Sequence, residues 1–162
     1  MSVPPGDRGK SSMQFIETAG QIEKRAMMVC RKWPKSYMFI ITARTVALAS
    51  EIYEHAQKAN AIMPKTEDER TLRILELQKA MGANYAFAQK IERAYSMFPI
   101  CGEGKGSEAA QSEKSGKLLE EFMNLCLDEE EALKGNIHYT RKMNLSEAGQ
   151  TAHSGSQKGE GK

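Results

Sequence analysis

Apolar positions along this chain recur at three-and-four spacing in four long segments, and nowhere in the two-residue alternation of a half-buried strand. In the first segment, about Ser12 to Trp33, the stripe is Phe15, Ile16, Ala19, Ile22, Ala26, Met27, Val29 and Cys30, opposite Glu17, Lys24, Arg25 and Arg31. Pro34 stops it, because the residue before a proline is pushed out of the α region. Ser36 stands where an N-cap belongs, opening a second helix from about Tyr37 to Met63. Its first half (Met38, Phe39, Ile40, Ile41, Val46, Leu48) is apolar on most faces, as in helices buried centrally or at an oligomer interface. Pro64 ends it.

The third start is the best marked. Thr66-Glu67-Asp68-Glu69 reads as a capping box with Thr66 as N-cap, and its acidic first turn suits the helix dipole. That helix runs to about Phe98 with Leu72, Leu75, Ala80, Met81, Phe87, Ile91, Ala94 and Tyr95; Gly82 near its middle suggests close packing or a bend. Pro99 and Cys101 to Gly106 form a glycine-rich loop. The fourth helix runs from Ser107 or Ser112 to Arg141, with Leu118, Leu119, Phe122, Met123, Leu125, Cys126, Leu133 and Ile137 inward. Short connections between long helices predict an all-α, up-down-up-down antiparallel four-helix bundle over 12–142. Residues 1–11 and 143–162, rich in Gly, Ser and Pro or nearly free of apolar groups, read as disordered ends.

Composition narrows the class further. The 162 residues are 40% hydrophobic but only 7% aromatic, which favours helix over sheet. There is no signal-peptide core and no run near the roughly 18 apolar residues of a membrane span. Three cysteines, Cys30, Cys101 and Cys126, without CxxC spacing read as reduced, buried or half-buried thiols, and so point to the cytoplasm. The net charge is only +2, so any nucleic-acid binding requires a local patch.

Candidate chemistry is sparse. Gly104-Lys105 fails as a phosphate loop, since Pro99 stands where a glycine is needed and Gly106 where Ser or Thr must follow the lysine. No Glu-x-x-His pair exists for a di-iron bundle, and the Asp128 to Glu131 run reads as a mainly solvated face. His55 is expected at the surface or a helix end and His138 half-buried, while His153 lies in the tail. These residues build no catalytic arrangement, so the chain reads as neither an enzyme nor a cofactor or metal protein. Basic residues cluster instead: Lys24, Arg25, Arg31, Lys32 and Lys35 surround Trp33, with Arg44 a little further on. Arg141 and Lys142 close helix four and belong to the opposite pole. Such a cluster around an aromatic is a weak nucleic-acid signal, and an ordinary solvated charge pattern stays open beside it.

The layout of about Met13 to Lys142 resembles the bacterial four-helix-bundle superfamily. That superfamily holds the accessory variability determinant (Avd) proteins of diversity-generating retroelements and the proteins of ribosomal RNA intervening sequences. The resemblance rests on Trp33-Pro34-Lys35-Ser36 before the apolar Tyr37-Met38-Phe39 helix start, on Leu77, Met81, Tyr85 and Lys90-Ile91-Glu92-Arg93-Ala94, and on Leu133-Lys134-Gly135-Asn136-Ile137. It implies a homopentameric barrel and a non-catalytic scaffold that binds template RNA, or DNA, on a basic surface and docks a reverse transcriptase. Lys90 and Arg93 join the binding candidates on that ground. A bundle of the same fold that engages only protein partners is the alternative.

Overall fold

The computed structural model describes residues 13–100 and 107–143; the expected disordered ends lie largely, and Cys101 to Gly106 of the glycine loop wholly, outside them. All regular structure among the described residues is helical: α1 Gln14–Cys30, α2 Ala43–Ala61, α3 Glu67–Met97 and α4 Glu108–Lys142. A three-residue 3-10 turn, Lys35–Tyr37, and a π-helical turn, Met38–Thr42, lead into α2. No helix among the described residues is long and apolar enough to cross a membrane.

The helices pack in chain order around a ring, α1 on α2, α2 on α3, α3 on α4 and α4 back on α1. Phe87 meets Phe122 edge-on at 5.6 Å, and at the far end Arg70 donates to the Met143 carbonyl, so α3 and α4 run antiparallel. His55 paired with Glu76, and Arg73 with the Ile62 carbonyl, give α2 and α3 the same relation. Phe15, Ile22, Ile52, Leu77, Phe87, Ile91, Phe122 and Leu133 are fully buried. Between them lie buried alanines on every helix, among them Ala19, Ala49, Ala56, Ala80 and Ala132, small enough to let the helices approach closely. A Cβ at Gly20 would sit 3.3 Å from the Tyr53 ring, so this position of α1 has room for hydrogen alone unless that ring moves.

The capping box at Thr66 forms as its sequence predicts: the Glu69 N–H donates to Thr66 Oγ1 at 3.3 Å, and Glu69 Oε2 accepts from the Thr66 N–H at 3.2 Å. Ser107 is the N-cap of α4, its hydroxyl accepting from the Ala110 N–H. Three local expectations change. Ser36 caps nothing; it lies inside the 3-10 turn, and α2 begins at Ala43 rather than at Tyr37. Gly82 packs against no neighbour, its missing Cβ facing open space, and α3 is continuous through it. Leu72 and Leu75, read as part of the α3 stripe, are close to half exposed.

Trp33 closes one pole. Its Nε1–H donates to the Ile100 carbonyl at 2.8 Å, its ring meets Phe98 edge-on at 5.2 Å, and Tyr37 stacks on Phe98 at 4.7 Å. The buried indole therefore joins the α1–α2 turn to the end of α3.

Candidate nucleic-acid and partner interface

The ten basic residues singled out from sequence do not form one surface. They divide between two seams on opposite sides of the bundle and its two poles, because consecutive helices carry them at different phases.

On the α2/α3 seam, Arg44 from α2 meets Lys90 and Arg93 from α3 around a pocket of about 270 Å³, with Gln89 beside them and Leu48 and Ala86 as lining. Lys90 and Arg93 are three residues apart and Gln89 and Arg93 four, so α3 presents them on one face. Arg44 also reaches Glu51 at 2.7 Å, an exposed pair worth at most about 1 kcal/mol and easily exchanged for another anion. Arg44 lies 46 positions before Lys90, so their approach is a product of the fold.

Arg44 follows closely on the π-helical turn. That turn decides which side of the nearly all-apolar segment faces inward: Ile41, Thr45 and Leu48 are buried, whereas Met38, Phe39 and Ile40 face outward. Phe39 is 89% exposed and Ile40 69%, and no other large apolar side chain among the described residues has so much of its surface bare except Met63. Thr45 Oγ1, buried, donates to the Ile41 carbonyl at 2.8 Å, the back-bond to residue i−4 by which a threonine inside a helix satisfies its hydroxyl.

On the α1/α4 seam, Lys24, Arg25 and Lys32 line a different groove, of about 460 Å³, with Met28, Val29, Leu118 and Leu125. Arg25 is bonded to Glu121 across it at 3.0 Å. Arg31 and Lys35 are exposed at the Trp33 pole. Arg141 and Lys142 occupy the last turn of α4 at the other pole, where the helix dipole favours cations. Trp33 itself, which the sequence places at the centre of the basic cluster, is 5% exposed and fully engaged in the core, so its ring offers nothing to a base.

Several polar groups that periodicity could have revealed lie inside. Glu129 sits on the inward phase of α4 with Phe122, Cys126, Leu133 and Ile137, so it is fully buried although the acidic run reads as a solvated face. Neither of its oxygens has a hydrogen-bond partner among the described residues, and burial pushes its carboxyl up to about 8. One turn away, Asn84 of α3 donates from Nδ2 to the Cys126 carbonyl at 2.8 Å. Glu76 is buried too, held below the usual carboxylate range by Lys79 and also bonded to His55 Nδ1, both at 2.7 Å. His55 is thus half-buried in a polar cluster, and His138, expected half-buried, is exposed. No group of three or more His, Cys, Asp or Glu among the described residues is placed to hold a metal ion. Cys30 and Cys126 are buried free thiols, pushed up to about 12 by that burial.

No protein-family model, curated protein or solved structure matches the chain.

Proposed function

We propose that this chain is a non-catalytic scaffold that self-assembles and holds nucleic acid, acting as the accessory protein of a bacterial diversity-generating retroelement beside its reverse transcriptase and template RNA in the cytoplasm. The observation that carries the reading is the meeting of Arg44, Lys90 and Arg93 at one pocket, with the bare Met38-Phe39-Ile40 turn a few residues before Arg44 in the chain. Three cations converging from two helices suit a phosphate backbone, and the exposed Phe39 of that turn suits an unstacked base or a second protomer. A basic site therefore exists locally even though the whole chain carries only +2. The homopentameric barrel implied by the family resemblance gives the exposed apolar turn a partner surface.

Fluorescence anisotropy with a labelled single-stranded RNA, at ionic strengths from low to moderate, tests the nucleic-acid half. Three phosphate contacts correspond to a log-log salt slope of about −2 for a single strand, and Lys90→Glu with Arg93→Glu removes most of it. Light scattering on the full chain tests assembly, which Phe39→Ser with Ile40→Ser is expected to reduce to monomer. A monomer without salt-sensitive RNA binding overturns the proposal. The near-neutral total charge favours a second reading, a protein-interaction module without nucleic acid. Under that reading, partner capture is unchanged by nuclease.

A further inference from the structure

The two seams differ in chemistry, and the α1/α4 groove is not a second copy of the basic pocket. On α1 it is lined by Gln21, Lys24, Arg25, Met28, Val29 and Lys32, spaced as one helical face, and on α4 by Leu118, Glu121 and Leu125, another. Its apolar part is two leucines, a valine and Met28, which is 54% exposed. A flexible, polarizable methionine on an exposed face suits a surface that accepts apolar side chains of a partner. From Gln21 to Lys32 the face is about 16 Å long, about three helical turns. A trough of that length between two helices matches a third helix laid along it, with apolar anchors at i, i+4 and i+7.

Charge selects the occupant. Lys24 and Lys32 make no ion pair among the described residues, and Arg25 is already engaged with Glu121. The groove thus offers two unneutralised cations on its α1 rim, two helical turns apart, and no free carboxylate among its lining groups. The Arg25–Glu121 pair spans the seam with both side chains about half exposed, so separating it costs little. The Met38-Phe39-Ile40 turn of another copy of this chain is a poorer match, because it carries Lys35 and Arg44 toward the same two lysines.

We propose that the α1/α4 groove is a docking site for an acidic amphipathic helix of another protein. Leucine-like anchors of that helix lie on Met28, Val29, Leu118 and Leu125. Carboxylates seven or eight residues apart on one of its flanks pair with Lys24 and Lys32. This assignment does not depend on what fills the Arg44–Lys90–Arg93 pocket, and a chain that failed to bind RNA would leave it intact.

The test uses full-length protein with methionine methyl groups labelled for NMR. The probe is a stapled helical peptide of about 14 residues with leucines at i, i+4 and i+7 and two glutamates on one flank. Saturable shifts of the Met28 methyl are expected, with about tenfold weaker binding when the flanking glutamates are replaced by lysines. The double variant Lys24→Glu with Lys32→Glu, both exposed and so compatible with folding, is expected to reverse that preference. Circular dichroism confirms that it is folded. Equal binding of both peptides, no shift at Met28, or shifts confined to the α2/α3 side overturn the proposal. So does displacement of the peptide by RNA, or loss of self-assembly in the double variant, since the occupant would then be nucleic acid or a second copy.

Discussion

Glu129→Gln isolates the energetic consequence of an unpartnered carboxyl in the bundle core. Burial raises the Glu129 carboxyl from 4.5 to about 8 in the folded chain. In the unfolded chain the group loses its proton near the ordinary value, so between about pH 4.5 and 8 the unfolded state binds fewer protons than the folded one. Stability is therefore greatest below that window and falls as pH rises through it, by about 1.4 kcal/mol per unit. From pH 5 to pH 8 the wild type is expected to lose about 3–4 kcal/mol through this residue, a large share of a small domain's total. The glutamine side chain keeps the volume and cannot ionise, so the variant lacks this slope. Urea denaturation of both proteins by far-UV circular dichroism at pH 5, 6, 7 and 8 measures the difference. Near-equality at pH 5 and a stabilising effect of several kcal/mol by pH 8 are expected, the other titrating groups cancelling in the subtraction. A difference that stays flat across the window refutes the reasoning, since it means that the carboxylate finds water or a partner without cost.

Trp33→Phe removes the indole N–H and leaves the buried Ile100 carbonyl without its donor, so a loss of about 1–3 kcal/mol in urea denaturation is expected. Thr66→Ala deletes the N-cap acceptor of α3 and should cost about 1 kcal/mol by the same assay, whereas Ser36→Ala, at a position that caps nothing, should be nearly neutral. Cys30 and Cys126, buried and held protonated, should resist a maleimide in native buffer and react only after unfolding, which mass spectrometry reads directly.

How much was legible in the sequence follows from the range over which each determinant acts. Pro34, Pro64 and Pro99 act on their own neighbours, and the Thr66–Glu69 box spans three residues, so helix boundaries there are written locally. The inward stripe of α1 is legible because a single phase of apolar residues repeats along it. Helical phase also carried the burial of Glu129, Glu76 and Asn84. Residue type hid it, since Glu129 stands among three other acids and polar residues are mostly outside.

The start of α2 shows where local reading ends. Met38 to Ile41 are all apolar, so periodicity cannot choose a face. Packing of Tyr37 on Phe98, and the π-helical turn that follows, put Ile41 inside and Phe39 and Ile40 outside. The basic residues show it again. Lys24, Arg25, Lys32 and Arg44 are near neighbours in sequence, yet the bundle sends the first three to the α1/α4 groove and the last to the α2/α3 pocket with Lys90 and Arg93. Local sequence by itself determined the four helices among the described residues, the stops near Pro34, Pro64 and Pro99 and the Thr66 cap, because those effects act within a few turns of one helix. Which cations share a site, which aromatic is enclosed in the core, and which carboxyl is stripped of water were decided only by the tertiary structure, because each depends on the phase at which two helices distant in sequence meet.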